Sequence, residues 1–258
     1  MLKLASWNVN SLRVRLPQVL DWLTTHQPDL IGLQETKLQN PQFPTEELGA
    51  AGYNVIANGQ KTYNGVALLA RQPLTPEDVA LDIGDFEDPQ RRVIAATFDN
   101  LRFINLYVPN GSEVGSDKYR YKLDWLDALL AWLGAQRQQY TNLVVVGDFN
   151  IAPEDRDVHD PHAWQGSVLV SEPEREKFRE LLALGFKDSF RLFDQPEGSY
   201  SWWDYRAAAF RRNLGLRIDH ILVSDNLADS VTGSTIDTAP RKLERPSDHA
   251  PVVATVQL

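Results

Sequence analysis

The sequence predicts an α/β fold in which two β-sheets pack face to face and helices lie outside them. Apolar segments of strand length, rich in β-branched residues, recur throughout the 258-residue chain and outnumber the helical patterns. Many of these segments follow one another without an intervening helix, which disfavours a single doubly wound sheet. No repeat, low-complexity tract or linker interrupts the chain, so we expect one domain over residues 1–258.

Nine segments have the composition and the alternation of β-strands. In chain order they are residues 3–9, 29–34, 53–57, 65–70, 92–98, 101–108, 142–149, 217–224 and 250–258. Because so few helical patterns separate them, we place these strands in two sheets rather than one.

Three segments have the pattern of helices, namely residues 17–26, 117–137 and 171–185. The first starts at Pro17, which favours the first helical position. We expect Asp117 to cap the second helix, and Ser171 to cap the third, which would end at Gly185. The connecting loops 109–116, 152–170 and 204–215 are long and polar, and such loops tend to be functional or mobile.

The composition restricts the class of protein. The absence of cysteine excludes disulfides and thiolate metal sites and indicates a reducing compartment. The apolar segment at the N-terminus is too short for a signal peptide, so we expect a cytoplasmic protein that makes no use of a membrane. A net charge of −9 argues against nonspecific coating of nucleic acid, but it is compatible with a local basic face or with carboxylates that bind metal.

Polar side chains stand at one strand end after another. They are Asn8, Asn10, Glu35, Tyr107, Asn110, Asp148, Asn150, Asp219, Asp248 and His249. For any one of them alone, a turn or a helix cap would be the more common explanation. Glu35 and Asp219 adjoin apolar segments, where a part-buried carboxylate needs a partner or a metal. Convergence of the strand ends on a divalent cation explains the whole set, and oxygen ligands without cysteine suit Mg²⁺ or Mn²⁺.

Seven motifs resemble, in order and in spacing, those of the exonuclease III family of AP endonucleases. They are WNVN at 7–10, LQETK at 33–37, YVPNG at 107–111, GDFN at 147–150, SWWDYR at 201–206, GLRID at 215–219 and SDHAPV at 247–252. GDFN and SDHAPV alone indicate only the wider superfamily of DNase I-like nucleases and phosphatases. The resemblance covers almost the whole chain, and it implies a four-layer α/β sandwich with its site at one end of the two sheets.

The resemblance also implies a Mg²⁺ site, in which Mn²⁺ would substitute. The implied metal-binding residues are Asn8, Glu35, Asp148, Asn150, Asp248 and His249. Glu35 would be the principal ligand, with Asn8 and Asp248 near the ion directly or through water.

The resemblance implies catalytic roles for Tyr107, Asp148, Asn150, Asp219 and His249. Asp148 would orient or deprotonate the attacking water, and Asn150 would hold the water or a phosphate oxygen. Tyr107 would point at the phosphate or at the leaving oxygen. His249 would hydrogen-bond a non-bridging oxygen while Asp219 holds its imidazole, and we expect this neighbour to keep His249 protonated at neutral pH. Adjacent residues of an extended chain face opposite ways, so Asp248 would face the metal instead.

For DNA binding, the resemblance singles out Trp202, and we also expect contacts from Asn110, Lys118 and Arg206. Trp202 would line a pocket for an extruded abasic sugar, whereas we place Trp203 in the core. Like Lys118 and Arg206, five other basic residues are candidates for phosphate contacts, and for most of the seven a solvated surface charge is the simpler explanation. The five are Arg91, Arg211, Arg212, Arg241 and Lys242. Glu113 and Leu216 depart from one branch of the family, and the loop 155–167 is placed to crowd the pocket. His159 and His162 in that loop are better explained as turn residues than as a second metal site.

The predicted function is Mg²⁺-dependent hydrolysis of the DNA phosphodiester 5′ to abasic sites, with 3′–5′ exonuclease and 3′-phosphodiesterase or phosphatase activity. The predicted partner is double-stranded DNA with abasic sites or blocked 3′ ends, bound by a monomer. One alternative is a family member specialised in 3′-end processing with little AP endonuclease activity. A phosphatase of small phosphate esters and a non-catalytic DNA-binding protein are further alternatives.

Overall fold

The computed structural model describes every residue from 1 to 258 and contains fourteen β-strands and five α-helices. The strands are β1 (Leu2–Asn8), β2 (Leu30–Gln34), β3 (Tyr53–Asn58), β4 (Val66–Arg71), β5 (Glu77–Ala80), β6 (Val93–Phe98), β7 (Leu101–Tyr107), β8 (Asn142–Asp148), β9 (Phe186–Asp188), β10 (Trp202–Trp203), β11 (Gly215–Leu216), β12 (Asp219–Ser224), β13 (Val231–Ile236) and β14 (Val252–Val256). The helices are α1 (Leu12–His26), α2 (Thr45–Ala50), α3 (Asp117–Gln139), α4 (Pro161–Trp164) and α5 (Glu172–Ala183).

Twelve of the strands form two six-stranded sheets. The first has the order β13-β14-β1-β2-β4-β3, and the second has the order β5-β6-β7-β8-β12-β9. Each sheet contains one parallel pair, β1 with β2 and β7 with β8, and the other pairs are antiparallel. A parallel pair needs a long crossover connection, and α1 and α3 provide the two crossovers. The predicted fold class, two packed mixed sheets flanked by helices, is confirmed.

Three hydrophobic cores separate four layers. The central core lies between the sheets and includes Leu68 and Val146. Outside the first sheet, α1 contributes Trp22 to a core around Trp7. Outside the second sheet, Trp125 of α3 belongs to the third core. None of the helices combines the length and the hydropathy that crossing a bilayer requires.

The predicted elements are present, with corrections at their ends. Helix α1 begins at Leu12, so that Pro17 lies inside it. The cap of α3 is Ser116, whose Oγ accepts from the Tyr119 amide at 3.1 Å, and Asp117 is the first helical residue instead. Ser171 caps α5 in a capping box as predicted. The short elements α2, α4, β5, β9, β10, β11 and β13 were not predicted, because most are too short for a periodic pattern.

Polar groups connect the two sheets just below the site. Gln34 Nε2 donates to Asn105 Oδ1 at 2.6 Å. Asn105 Nδ2 in turn donates to the carbonyl oxygens of Leu33 and Ala67, both at 2.9 Å. Asn105 is fully buried, so these bonds satisfy groups that water does not reach. They hold the carboxyl ends of β2 and β7 at a defined distance.

Candidate active site

Residues from six strand ends meet at one edge of the sandwich. β1, β2, β7 and β8 end there, and β12 and β14 begin there because they run antiparallel to β8 and β1. The predicted site residues at this edge are Asn8, Glu35, Tyr107, Asp148, Asp219, Asp248 and His249. Asp148 is the register partner of both Tyr107 and Asp219, which puts three functional side chains side by side in one sheet.

Glu35 and Asp148 come from different sheets and are brought together by Asn8. Its Nδ2 donates to Glu35 Oε1 and to Asp148 Oδ2, both at 2.9 Å. Its Oδ1 accepts from the Asn10 amide at 2.9 Å, so Asn8 presents nitrogen rather than oxygen to the two carboxylates. Ligand atoms of Glu35, Asp148 and His249 all lie within 4.8 Å of one another. These three residues are the part of the predicted metal set that the structure groups most tightly.

Two site residues adopt a backbone conformation that is uncommon outside glycine. Glu35 and Asn150 both have φ of 49°. The Glu35 carbonyl accepts from the Ser11 amide at 2.8 Å, and the Asn150 amide donates to Asp148 Oδ1 at 2.9 Å. The surrounding hydrogen bonds therefore hold these residues in a conformation that is costly on its own, as is common at functional sites.

Asp219 holds the imidazole of His249. His249 Nδ1 lies 2.9 Å from Asp219 Oδ2, and this oxygen also accepts from Ser201 Oγ at 2.6 Å. Ser201 Oγ accepts in turn from the Asp219 amide at 3.0 Å, which fixes the carboxylate. With Nδ1 engaged, Nε2 faces the carboxylates of Glu35 and Asp148 and lies 3.7 Å from Asp148 Oδ2.

The same arrangement decides the charges of His249 and Asp148. Burial opposes protonation of His249, but the carboxylates of Asp219 and Asp148 outweigh it and raise the His249 pKa above its usual range. Burial also raises the pKa of Asp148, His249 opposes that rise, and Asp219 adds to it. An imidazolium therefore stands beside a carboxylate that binds a proton more readily than an ordinary aspartate.

Asp248 faces away from His249, as the alternation along an extended chain predicts. Its Oδ1 accepts from Asn10 Nδ2 and its Oδ2 accepts from Trp202 Nε1, both at 3.0 Å. Lys37 Nζ donates to Asn10 Oδ1 at 2.6 Å and lies 3.2 Å from Glu35 Oε2. Asp248 therefore lies beside the group formed by Glu35, Asp148 and His249. Asn10 and Lys37 connect it to Glu35.

The two tryptophans differ in burial, and Trp203 lies in the core as expected. Trp203 is 2% exposed and packs edge-on against Phe210 in the core. Trp202 is half-buried, and its strand segment forms a β-bridge with His249. Trp202 therefore presents part of its ring at the site, whereas Trp203 supports the segment from behind.

Tyr107, like Trp202, borders the site. The Arg92 guanidinium lies 4.7 Å from the centre of its ring and donates to the Tyr107 carbonyl oxygen at 3.1 Å. Burial raises the pKa of the Tyr107 phenol well above its usual range, and the charges of Glu35 and Asp148 add to the rise. The phenol therefore keeps its proton and remains a hydrogen-bond donor.

A polar cleft of about 350 Å³ opens beside Tyr107. Asn110 and Lys118, two of the predicted DNA-binding residues, line it. The remaining polar or aromatic lining comes from Gln60, Tyr63, Asn64, Gln90, Arg92, Ser112 and Tyr121. Asn110 Nδ2 also donates to Asn150 Oδ1 at 3.2 Å, and the Asn150 amide donates to Asp148, so hydrogen bonds connect the cleft lining to Asp148.

Other predicted contacts lie elsewhere. Arg206 is on an exposed loop and pairs with Asp204, with Nε 2.9 Å from Oδ1. Arg241 is a correction to the candidate phosphate contacts, because it is 6% exposed, donates to the Ser247 carbonyl oxygen at 2.6 Å and stacks on aromatic rings. His159 Nδ1 lies 3.1 Å from the Gly215 carbonyl oxygen, and His162 is exposed on α4.

Sequence reasoning did not find several residues that support the site, among them Ser201, Arg92 and Lys122. Ser201 lies among serines and tryptophans, and nothing in its spacing distinguishes it. Lys122 lies on α3 among other charged residues but is 0% exposed. Only the mutual approach of distant loops, which has no local sequence signal, identifies these residues.

Comparisons with known proteins agree with this geometry. The model of the Endonuclease/Exonuclease/phosphatase family matches residues 5–249. Exodeoxyribonuclease III of Haemophilus influenzae is 37% identical over 98% of this chain and 99% of its own. The solved structure of the 3′ phosphatase NExo from Neisseria bound to a product DNA hairpin has a TM-score of 0.97 and 46% identity, with both chains covered completely. An AP endonuclease structure from Archaeoglobus fulgidus has a TM-score of 0.95 and 38% identity, again over both entire chains.

Proposed function

Because the chain belongs to the exonuclease III branch of the endonuclease/exonuclease/phosphatase family, we propose that it is a metal-dependent DNA repair nuclease. Its principal reaction is hydrolysis of the phosphodiester 5′ to an abasic site, which leaves a 3′ hydroxyl and a 5′ deoxyribose phosphate. The same site shortens 3′ ends as an exonuclease and removes 3′ blocking groups. We further expect a cytoplasmic monomer that acts on double-stranded DNA.

One observation carries this proposal: an imidazolium and two carboxylates from different sheets face the same small space. Asp148 and His249 come within 3.7 Å of each other, and Glu35 belongs to the same group. Such a combination suits charge stabilisation and proton transfer at a phosphate. Binding of DNA alone requires no buried acid group, which argues against the non-catalytic alternative.

The donor set fits Mg²⁺, for which Mn²⁺ would substitute. Glu35 and Asp148 offer carboxylate oxygens, the ligands that hard cations prefer. His249 is the poorer ligand, because a protonated imidazole has no free lone pair. Asp248, Asn8 and Asn150 would act through water or by orienting the carboxylates. When bound, the ion would polarise the phosphate and offset its negative charge.

The chain's own side chains account for the proton transfers. Asp148, whose pKa is raised, accepts a proton from the attacking water as the water oxygen bonds to phosphorus. His249 donates a hydrogen bond from Nε2 to a non-bridging oxygen and stabilises its growing charge. As the bond from phosphorus to the 3′ oxygen breaks, the Tyr107 phenol donates a hydrogen bond to the leaving oxygen. That oxygen takes up a proton from solvent to become the 3′ hydroxyl, and Asp148 returns its proton to solvent. Asp219 keeps His249 oriented and charged throughout.

Substrate binding would use the cleft and the Trp202 wall. Asn110 and Lys118 line the cleft and would contact the phosphates of a strand that runs through it. Trp202 would pack against an abasic sugar, and a nucleotide without a base costs less to extrude than an intact one. Arg206 would exchange Asp204 for a DNA phosphate.

A second candidate is a nuclease specialised in 3′-end processing. Trp164 and Val168, from the loop 152–170, pack in the same apolar cluster as Trp202. A loop in that place narrows the space available to an extruded sugar. The 46% identity with a Neisseria 3′ phosphatase supports the same reading.

The test compares one duplex carrying a central abasic analogue with another carrying a recessed, blocked 3′ end, each with and without Mg²⁺. We expect fast metal-dependent incision of the first duplex. Asp148→Asn should lose about 10³-fold or more in kcat, as removal of a catalytic acid or base does, while DNA binding survives. Slow incision with rapid 3′ processing would favour the second candidate. No metal-dependent cleavage of either duplex would contradict both and favour a phosphatase of small esters.

A further inference from the structure

A fully buried ion pair lies directly behind two loops of the site. Lys122 of α3 and Glu174 of α5 are each 0% exposed, and the Lys122 ammonium contacts a Glu174 oxygen. The ammonium also donates to the Asn150 carbonyl oxygen at 2.6 Å and to the Asn110 carbonyl oxygen at 3.1 Å. An ammonium has three N–H donors, so each of them has a protein acceptor.

Glu174 is equally well satisfied. Its Oε1 accepts from the Leu169 amide at 3.0 Å, and its Oε2 accepts from the Ser171 amide at 3.3 Å and from the Ser171 hydroxyl. Ser171 Oγ lies 2.6 Å from the hydroxyl of Tyr119, one helical turn before Lys122. The pair, which we call the Lys122–Glu174 bridge, therefore connects α3, α5 and the end of the loop 152–170 to the loops that carry Asn110 and Asn150.

The two loops meet again on the side that faces the site. Asn110 Nδ2 donates to Asn150 Oδ1 at 3.2 Å, and Asn150 Nδ2 donates to the Val108 carbonyl oxygen at 2.9 Å. Thus the backbones of Asn110 and Asn150 converge on Lys122, while their side chains converge on each other. Two carbonyl oxygens and a carboxylate oxygen around one point repel each other unless a cation lies between them.

We propose that Lys122 is a positioning residue for phosphodiester cleavage. Its ammonium holds the backbones of Asn110 and Asn150 together, so that their side-chain amides are aligned before DNA binds. Lys122 has no contact with the substrate in this scheme and acts through Asn150. The inference rests on the proposed nuclease function. It adds that efficient cleavage also requires Lys122, which is not itself a catalytic residue.

The first test removes both charges at once. Lys122→Met combined with Glu174→Gln leaves no uncompensated charge in the interior, which protects the fold. We expect kcat for incision to fall about 10- to 100-fold, since small displacements of aligned groups have effects of this size, while KM stays within a few-fold of wild type. Leu129→Ala, a cavity on the same helix away from the bridge, is the matched control and should lower the melting temperature without changing kcat.

A double-mutant cycle separates positioning from general support of the fold. In an Asn150→Ala background, the same pair of substitutions should cause little further loss of kcat, because the residue through which Lys122 acts is already truncated. A wild-type kcat in the Lys122→Met/Glu174→Gln variant would overturn the proposal. The proposal would also be overturned if the paired substitutions lowered kcat by the same factor in the Asn150→Ala background as in the wild type.

A readout without substrate separates this proposal from the nuclease function. In the paired variant, amide hydrogen exchange should speed up in peptides that cover residues 108–112 and 148–152. Outside these peptides we expect a change only around residues 169–174, because Glu174 accepts from the amides of Leu169 and Ser171. Unchanged exchange in those peptides would overturn the positioning role even if the wild-type protein cleaves DNA. If the wild type cleaves neither duplex, the proposed function fails, and the exchange result still decides what Lys122 holds.

Discussion

At the scale of single residues, the contact between Asp219 and His249 is the feature with the most direct chemical consequence. Asp219→Asn keeps the shape of the side chain but removes its charge. We expect the His249 pKa to fall, because the carboxylate that offsets the burial of the imidazole is gone. An NMR titration of His249 measures this shift directly.

The same variant should lose about 10- to 100-fold in kcat, the usual effect of removing the carboxylate that orients a functional histidine. The control is Asp204→Asn, because Asp204 pairs with the exposed Arg206 and not with His249. This variant should leave the His249 titration as in wild type. An unchanged His249 titration in Asp219→Asn would mean that the imidazolium owes its charge to something else.

Much of this residue-scale arrangement could be predicted from the sequence. Alternation along an extended chain predicts that Asp248 and His249 face opposite sides. In the structure, Asp248 accepts from Trp202, whereas His249 contacts Asp219. Lys122 could not be predicted in this way. Its burial depends on Glu174 and on two loops distant in sequence, whereas its neighbours on α3 are ordinary surface charges.

At the scale of elements, strand β12 carries two adjacent ionisable residues into opposite environments. Asp219 faces the site, and His220 faces the outer layer, where Phe149 and Phe178 pack against its ring. Arg217 Nη1 lies 3.0 Å from His220 Nδ1, and the Ile151 carbonyl oxygen lies 2.9 Å from its Nε2. Nδ1 therefore accepts and Nε2 donates, which is the hydrogen-bonding pattern of neutral histidine.

The buried neutral histidine predicts a dependence of stability on pH. Burial, together with the charge of Arg217, lowers the pKa of His220 to about 4. In the unfolded chain its pKa is about 6.5, so between these values the unfolded state binds the additional proton. The free energy of unfolding should therefore fall as the pH drops through this window, and His220 should account for about 3 kcal/mol of the fall.

Urea unfolding of wild type and His220→Asn between pH 7.5 and pH 4 measures this contribution. The variant should be less stable at neutral pH, because it loses two buried hydrogen bonds, but its stability should depend less steeply on pH. Parallel curves for the two proteins would show that His220 is not the residue that titrates. Arg191→Lys, which alters a partner of Asp157 and adds no histidine, serves as the control for general destabilisation.

The long elements were more predictable than the short ones. β8 is an apolar segment that ends in a functional residue, and β12 is one that begins with a functional residue, so their pattern identifies them without the fold. β10 and β11 contain two residues each and exist because Trp202 and Leu216 pair across a loop. No periodic signal can appear in two residues, so the sequence could not predict the two-stranded sheet that carries Trp202.

At the scale of the whole molecule, the net charge and the charge of the cleft beside the site have opposite signs. The net charge is −9, yet Lys118 and Arg92 line the cleft beside Tyr107. A protein with a negative net charge attracts DNA where its cations are grouped, and no acidic residue lines this cleft. This distribution suits an enzyme that engages DNA locally rather than one that coats the duplex.

The sequence leads us to expect that the two sheets form a single domain. The site takes Glu35 from the first sheet and Asp148 from the second, and the sheets share a common core with a buried polar link at Asn105. Neither sheet can bury its inner face without the other. We therefore expect unfolding in urea to be one transition, with circular dichroism, tryptophan fluorescence and nuclease activity lost at the same concentration.

Asn105→Ala should lower the free energy of unfolding by about 1–3 kcal/mol, since it removes hydrogen bonds from buried acceptors of the opposite sheet. The transition should remain single, because the apolar core between the sheets is intact. Asn100→Ala, on an exposed turn, should change stability little and is the matched control. Two separate transitions, or activity that vanishes well before the circular dichroism signal changes, would mean that the sheets unfold independently.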